Sequence, residues 1–223
     1  MSQDAKIRSL RLDGAVGRLE ALLNTGSAQP EYAAVVCHPH PLFGGTMHNK
    51  VVFHAMKALN GFGFPVLRFN FRGVGTSVGE HDQGRGESDD VRTALDWLKQ
   101  EFGLPIIFAG FSFGAAIGLR AACPDDAVQA LISLGTPVLA EGRAYRYDYL
   151  RTCAKPKLFL SSDHDEHAPK ERLEKLMSDV AEPRQLVLIE GGDHFFAGHL
   201  LEMRAAIEQW IRDVIKPREA VTL

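Results

Sequence analysis

The chain has 223 residues, of which 45% are hydrophobic, 24% charged and 9% aromatic, and its formal net charge is −3. These proportions are those of an ordinary soluble globular protein and exclude a collagen, a disordered charged chain and a disulfide-stapled miniprotein. The weak negative charge gives no electrostatic reason to expect nucleic acid or an anionic membrane as a partner.

The length suits one large α/β domain or two small ones, with ample material for a buried core. Met1 to Lys6 lead into a mixed polar and apolar stretch with no apolar core of a signal peptide. No apolar run approaches the roughly 18 residues of a membrane span. Leu19 to Asn24 reads as an early strand. Ala33 to Cys37 is a compact apolar run, as expected of a strand buried on both faces. From His48 to Asn60 the apolar residues Val51, Val52, Ala55, Met56 and Leu59 recur at helical spacing. Pro65 to Phe71 is the next predicted strand.

The glycine-rich stretch Gly73 to Gly86 is predicted as a loop. Ser88 then caps a helix with Asp89 and Asp90 in its first turn, where negative charge suits the helix dipole. Val91, Leu95, Leu98 and Phe102 make that helix's apolar stripe. Pro105 to Gly110 is predicted as strand and Phe113 to Ala122 as helix. Three more strands are expected at Ala130–Leu134, Lys157–Leu160 and Gln185–Ile189. Two more helices are expected at Lys170–Val180 and about Gly198–Ile215. Strands alternating with helices imply right-handed crossovers and a largely parallel sheet covered on both faces. Val138 to Ala154 carries no clear pattern and is short for a lid domain. Residues 1–223 are therefore expected to form a single domain.

The three cysteines, Cys37, Cys123 and Cys153, are odd in number and not at metal-ligand spacing. Reduced thiols in the cytoplasm are the simplest expectation.

The sharpest chemical signal is Gly110-Phe111-Ser112-Phe113-Gly114, set between a predicted strand and a predicted helix. A serine on a tight strand-to-helix turn needs small residues two before and two after it, because side chains there would strike the turn's own backbone. The turn lifts the Ser112 hydroxyl clear of the sheet. The Phe113 amide at the helix start then faces a developing oxyanion. Without that chemistry, Ser112 would be a small packing residue between two turn glycines.

Serine needs a general base. Nine histidines compete: 38, 40, 48, 54, 81, 164, 167, 194 and 199. Functional groups gather beyond the carboxyl ends of parallel strands. His194 lies just after the last strand, behind Gly191 and Gly192, and is the expected base. His54, mid-helix, is expected to be structural and His199 to lie on the surface. The base needs an acid to fix its tautomer. The loop Ser161 to Pro169 offers Asp163, Asp165 and Glu166, and chemistry alone does not choose among them. That loop also holds histidines, but no partner motif supports a metal site. The His38-Pro39-His40 pair is equally short of a ligand set. Gly73-Val74-Gly75 departs from the dinucleotide fingerprint, since the third glycine falls one late and no Walker lysine follows. Arg68, inside an apolar strand, should be paired if buried, with Glu87, Asp89 or Asp90 as candidate acids.

The order serine, acid, histidine across successive strand ends resembles the α/β-hydrolase superfamily. His38 to Lys50, Arg68 to Gly75 and Gly110 to Gly114 resemble one branch of it, the small lidless bacterial serine hydrolases related to dienelactone hydrolase and to acyl-peptidase catalytic domains. The dienelactone hydrolases use a cysteine nucleophile, where this chain has Ser112. The resemblance implies the α/β-hydrolase fold without a large cap domain. It also implies Asp165 as the acid, four before Pro169, with Asp163 as fallback. A second oxyanion donor is implied in the loop after Cys37. Pro39 and Pro41 lack an N–H, so His40 is in register for that role, with Leu42 the alternative. Phe43, Phe111, Phe113, Phe195 and Phe196 fall near these loops as candidates for an apolar acyl pocket.

The expected activity is that of a carboxylesterase acting on a small-molecule ester through Ser112, with no cofactor and no metal. A thioesterase, peptidase or acyltransferase could use the same triad. A binding protein on the hydrolase fold without turnover is the non-enzymatic alternative. Nothing in the sequence fixes an oligomeric state.

Overall fold

The fold follows from a computed structural model that describes residues 7–139 and 145–216. The start of the chain and part of the unpatterned Val138–Ala154 stretch lie outside the described residues.

Eight strands form one sheet: β1 (Ile7–Gly14), β2 (Gly17–Asn24), β3 (Ala33–Cys37), β4 (Val66–Phe69), β5 (Ile106–Phe111), β6 (Val128–Leu134), β7 (Lys157–Ser162) and β8 (Arg184–Ile189). Their spatial order is β1-β2-β4-β3-β5-β6-β7-β8. The β1–β2 hairpin joins β4 antiparallel, and every pairing beyond that is parallel. The helices are α1 (Lys50–Asn60), α2 (Arg85–Phe102), α3 (Phe113–Ala122), α4 (Lys170–Asp179) and α5 (Leu200–Trp210), the last continued by a π turn over Ile211–Ile215.

Buried parallel strands divide their side chains between two cores. In β3, Ala33, Val35 and Cys37 join a cluster with Val91, Leu95 and Leu98 of α2 and Phe113 and Leu119 of α3. The alternate residues Ala34 and Val36 join Val51, Val52 and Met56 of α1 and Met203, Ile207 and Trp210 of α5. The period of two and the continuous apolar run thus have one cause, a sheet covered on both faces. Among the described residues no helix is long and apolar enough to cross a membrane. Between β6 and β7 the described residues hold one 3₁₀ turn, Asp148–Arg151, and among the described residues no cap domain stands over the sheet.

Two expectations are corrected. β1 was not anticipated. It is an edge strand on which Leu12 is the buried residue, so Arg8, Arg11 and Asp13 interrupt any apolar signal while suiting an unpaired edge. The second helix begins at Arg85 rather than behind Ser88. Gly84, at φ 90°, starts it. The buried Glu87 carboxylate accepts the Gly84 and Asp82 N–H groups at 2.8 and 3.0 Å. Ser88 instead donates its hydroxyl back to the Gly84 carbonyl. A glutamate at the third helical position can cap the turn ahead of it.

Candidate active site

The strand order reverses between β3 and β5. The chain goes outward from β3 to β4, crosses back to β5 and continues to β6 on the other side. The carboxyl ends of β3 and β5 therefore lie side by side, with Cys37 in register with Gly110, and leave a crevice between their following loops. One loop carries His40 and the other carries Ser112.

Ser112 stands between β5 and α3 at φ 54° and ψ −118°, a left-handed conformation unusual for a residue with a side chain. Its N–H is held by the Leu134 carbonyl of β6 at 2.9 Å. The flanking glycines are required by contact. A Cβ on Gly110 would lie 2.6 Å from the Gly114 carbonyl oxygen, and one on Gly114 would lie 2.4 Å from the His38 carbonyl oxygen. The start of α3 is thereby pressed onto the end of β3. The Ser112 hydroxyl makes no capping bond to its own helix.

Across the crevice, Ser112 Oγ lies 2.9 Å from His194 Nε2. His194 Nδ1 lies 2.9 Å from both carboxylate oxygens of Asp165. An N–H on Nδ1 facing the carboxylate leaves Nε2 as acceptor for the serine proton. His194 is buried against Phe111, His167 and Phe195. The loop that brings it there turns through Gly191 at φ 72°. It is tied to β7 by Asp163, whose Oδ1 accepts the Gly191 N–H at 2.8 Å.

Asp165 follows β7 and is buried. Besides His194 it accepts the N–H groups of His167 and Ala168 at 2.9 and 3.0 Å and the Ser161 hydroxyl at 3.0 Å. Burial pushes its carboxyl up. The hydrogen bond and charge of His194, the His167 N–H and the Ser161 hydroxyl outweigh this and hold it below the usual carboxylate range. The three acids of this loop are thus separated by direction. Asp165 faces the imidazole, Asp163 clamps the neighbouring loop, and Glu166 is exposed beside His167.

His40 and Phe113 line the same crevice as Ser112 and His194, together with Pro39, Phe43, Pro137 and Phe195 around a cavity of about 150 Å³. The His40 ring accepts the Leu42 N–H at 3.1 Å, which turns that amide toward the ring and removes Leu42 as the alternative donor. Phe43 and Phe195 are exposed at the rim, whereas Phe111 and Phe196 belong to the core. His54 lies within α1 as expected. His199 precedes the first turn of α5 and bonds Glu202. Among the described residues no group of three or more His, Cys, Asp or Glu could hold a metal.

Three supporting residues escaped sequence reasoning. His38 is fully buried; its Nδ1 bonds the Pro39 carbonyl at 2.6 Å and its Nε2 accepts the Phe71 N–H at 3.0 Å. Ser161 and the His167 N–H fix the Asp165 carboxylate, and neither residue belongs to a motif that spacing could flag. The expected acid partner of Arg68 is also corrected. Arg68 bonds the Met47 carbonyl and the Asn24 side chain, both at 3.1 Å. It is Arg72 that pairs with buried Asp90, at 2.7 Å. Arg68 alternates in β4 with Leu67 and Phe69, which face α2, and so lies on the opposite face, whereas Arg72 stands in the turn beyond the strand and reaches the first turns of α2.

Comparisons with known proteins agree with this fold. The α/β hydrolase domain family matches residues 33–216. The chain belongs to that family. An α/β serine hydrolase homologue from Coxiella burnetii is 36% identical, with a TM-score of 0.84 over 94% of this chain and 98% of that one. An α/β serine hydrolase without a lid from Xanthomonas campestris is 34% identical, with a TM-score of 0.83 over 96% and 97%. An uncharacterised protein of Rickettsia prowazekii (strain Madrid E) is 34% identical over 89% of this chain and 86% of its own.

Proposed function

We propose that this α/β hydrolase is a carboxylesterase that cleaves small or short-acyl esters through an acyl-enzyme on Ser112. The observation that carries the proposal is the unbroken relay from Asp165 through His194 to Ser112, with each contact at 2.9 Å. In the first half-reaction Ser112 Oγ attacks the ester carbonyl carbon while His194 Nε2 takes its proton. The buried Asp165 carboxylate holds the imidazole in orientation and stabilises the imidazolium. The amides of Phe113 and His40 receive the negative charge that forms on the carbonyl oxygen. The intermediate collapses as His194 returns the proton to the leaving alcohol. Water, activated by the same imidazole, then releases the acid. The chemistry as drawn uses only these groups and water.

Substrate size follows from the walls. A cavity of about 150 Å³, bordered by Phe43, Phe113, Pro137 and Phe195, suits a small apolar acyl group. The serine hydrolase descriptions of the Coxiella and Xanthomonas relatives support Ser112 as nucleophile.

The test is covalent labelling with a fluorophosphonate together with hydrolysis of p-nitrophenyl acetate. Wild type is expected to label and turn over. Ser112→Ala is expected to lose both, roughly a million-fold in turnover, with an almost unchanged melting transition. Folded wild-type protein that neither labels nor hydrolyses would favour a binding protein on the same fold. A panel of matched ester, thioester and amide substrates of increasing acyl length then ranks the acyl-transfer classes.

A further inference from the structure

A second cluster of nucleophilic side chains lies at the far end of α3 from Ser112. Cys123 terminates that helix, its N–H bonded to the Leu119 carbonyl. Cys153 lies in the loop between the 3₁₀ turn Asp148–Arg151 and β7. Cys153 belongs to the core cluster against which Cys123 packs. Both line a cavity of about 670 Å³, shared with Arg120, Tyr149 and Lys155. Cys123 is half-buried and Cys153 is 4% exposed.

Two ammonium groups converge here. Lys155 Nζ bonds the carbonyls of Ala122, at 3.3 Å, and Asp125. Lys157 is 1% exposed, and its Nζ donates to the carbonyls of Cys153 and Lys155 at 2.5 and 2.6 Å. Among the described residues Lys157 makes no ion pair with a carboxylate. Burial pushes its ammonium down, and negative charge on Cys153, then on Cys123 and Glu182, holds it up. Glu182 is itself paired with Arg184 at 2.9 Å. A buried cation calls for an anion beside it; Asp126 is the carboxylate that lines the cavity, but the charges that bear on Lys157 come first from the two sulfurs and then from Glu182.

The sulfurs are not equivalent. Cys123 sits at the negative end of the α3 dipole, which disfavours a thiolate there. The neighbouring Cys153 side chain and burial push the Cys123 thiol up. The neighbouring Cys123 thiol, against burial, pulls Cys153 below the usual thiol range; the Lys155 N–H and the Lys157 and Lys155 charges add to the effect. Cys37, the third cysteine, is sealed in the core with its thiol pushed up by burial.

We propose that Cys153 and Cys123 are a peroxide-reactive thiol pair that closes to an intramolecular disulfide, Cys153 attacking and Cys123 resolving. The Cys153 thiolate attacks one oxygen of hydrogen peroxide; the O–O bond breaks, hydroxide leaves and a sulfenic acid forms. The Cys123 sulfur then attacks the Cys153 sulfur. The S–O bond breaks, water leaves with the Cys123 proton, and the S–S bond closes. Two thiols and one peroxide give one disulfide and two waters. The bond would tie the end of α3 to the start of β7, the two elements that carry Ser112 and lead to Asp165. The pair stands apart from the hydrolytic chemistry, so Ser112→Ala protein is expected to behave identically.

The experiment treats the full chain with hydrogen peroxide and counts free thiols by alkylation and intact mass. The count should fall from three to one, the mass should drop by two hydrogens, and dithiothreitol should restore both. Peptide mapping should show Cys123 joined to Cys153. In Cys123→Ser, Cys153 should stop at a sulfenic acid that dimedone traps. Lys157→Met should slow alkylation of Cys153 at neutral pH by roughly tenfold, with circular dichroism confirming the fold. Three thiols remaining after treatment, a cross-link through Cys37, or a disulfide between two chains would overturn the proposal.

Discussion

Replacing His38 by Gln tests how a buried neutral imidazole couples this fold to pH. The ring sits between two fixed backbone groups, with Nδ1 donating to the Pro39 carbonyl and Nε2 accepting from the Phe71 N–H. A second ring proton would meet the Phe71 N–H donor to donor. Burial, opposed by the Pro39 bond and aided by His40, lowers the His38 pKa from 6.5 to about 4. Above pH 6.5 the ring is neutral whether the chain is folded or not, and no penalty applies. Between 6.5 and about 4 the unfolded chain takes up a proton that the folded chain refuses, so stability falls as pH falls. At about 1.4 kcal/mol per pH unit, the window amounts to roughly 3 kcal/mol. Below it the loss levels off. Gln can donate and accept in the same place but does not titrate. The variant should be less stable by about 1–2 kcal/mol at pH 7.5, having lost ring packing and optimal hydrogen bonds. Its stability should decline less steeply through the window. Urea unfolding midpoints of both proteins across pH 4 to 7.5 provide the measurement, with the other histidines common to both. Curves that run parallel would refute the reasoning, because they would mean that His38 titrates alike in both states.

Four further outcomes are expected. Asp165→Asn should reduce ester turnover by on the order of 10⁴-fold, since an amide no longer fixes the imidazole tautomer. Asp163→Asn should cost less than about tenfold, because its Oδ1 can still accept the Gly191 N–H; steady-state kinetics on the two variants would show any reversed ranking. Asp90→Asn should destabilise the protein by about 3–5 kcal/mol, leaving Arg72 buried and unpaired, as read by thermal or denaturant unfolding. Gly114→Ala should destabilise by about 1–3 kcal/mol and lower turnover, because the new methyl would meet the His38 carbonyl and push the Ser112 turn away from β3; a crystal structure with an unshifted turn and wild-type activity would contradict this.

The supporting contacts show where sequence reasoning stops. Ser112 was legible because its constraint is local: a left-handed residue between two glycines that must be glycines leaves a five-residue trace. His194 was legible by position, since a parallel sheet gathers loops at one edge. The elements that build the sheet were legible for a similar reason, as strands buried on both faces are continuous apolar runs. β1 was hidden because an edge strand with one buried residue has almost no pattern.

The amino-acid sequence alone determined the alternation of strand and helix, the strand-to-helix turn at Ser112 and the rim on which Ser112 and His194 meet. Each of those depends on neighbours within a few residues or on a periodicity. The family resemblance had pointed to Asp165 by its place four before Pro169; tertiary structure alone decided that Asp163 holds Gly191, that Asp90 pairs with Arg72 and not Arg68, and that Cys123 and Cys153 share a cavity. Those outcomes depend on the directions of side chains from segments far apart in the chain. Direction is set by packing after the sheet has formed, and no local spacing encodes it.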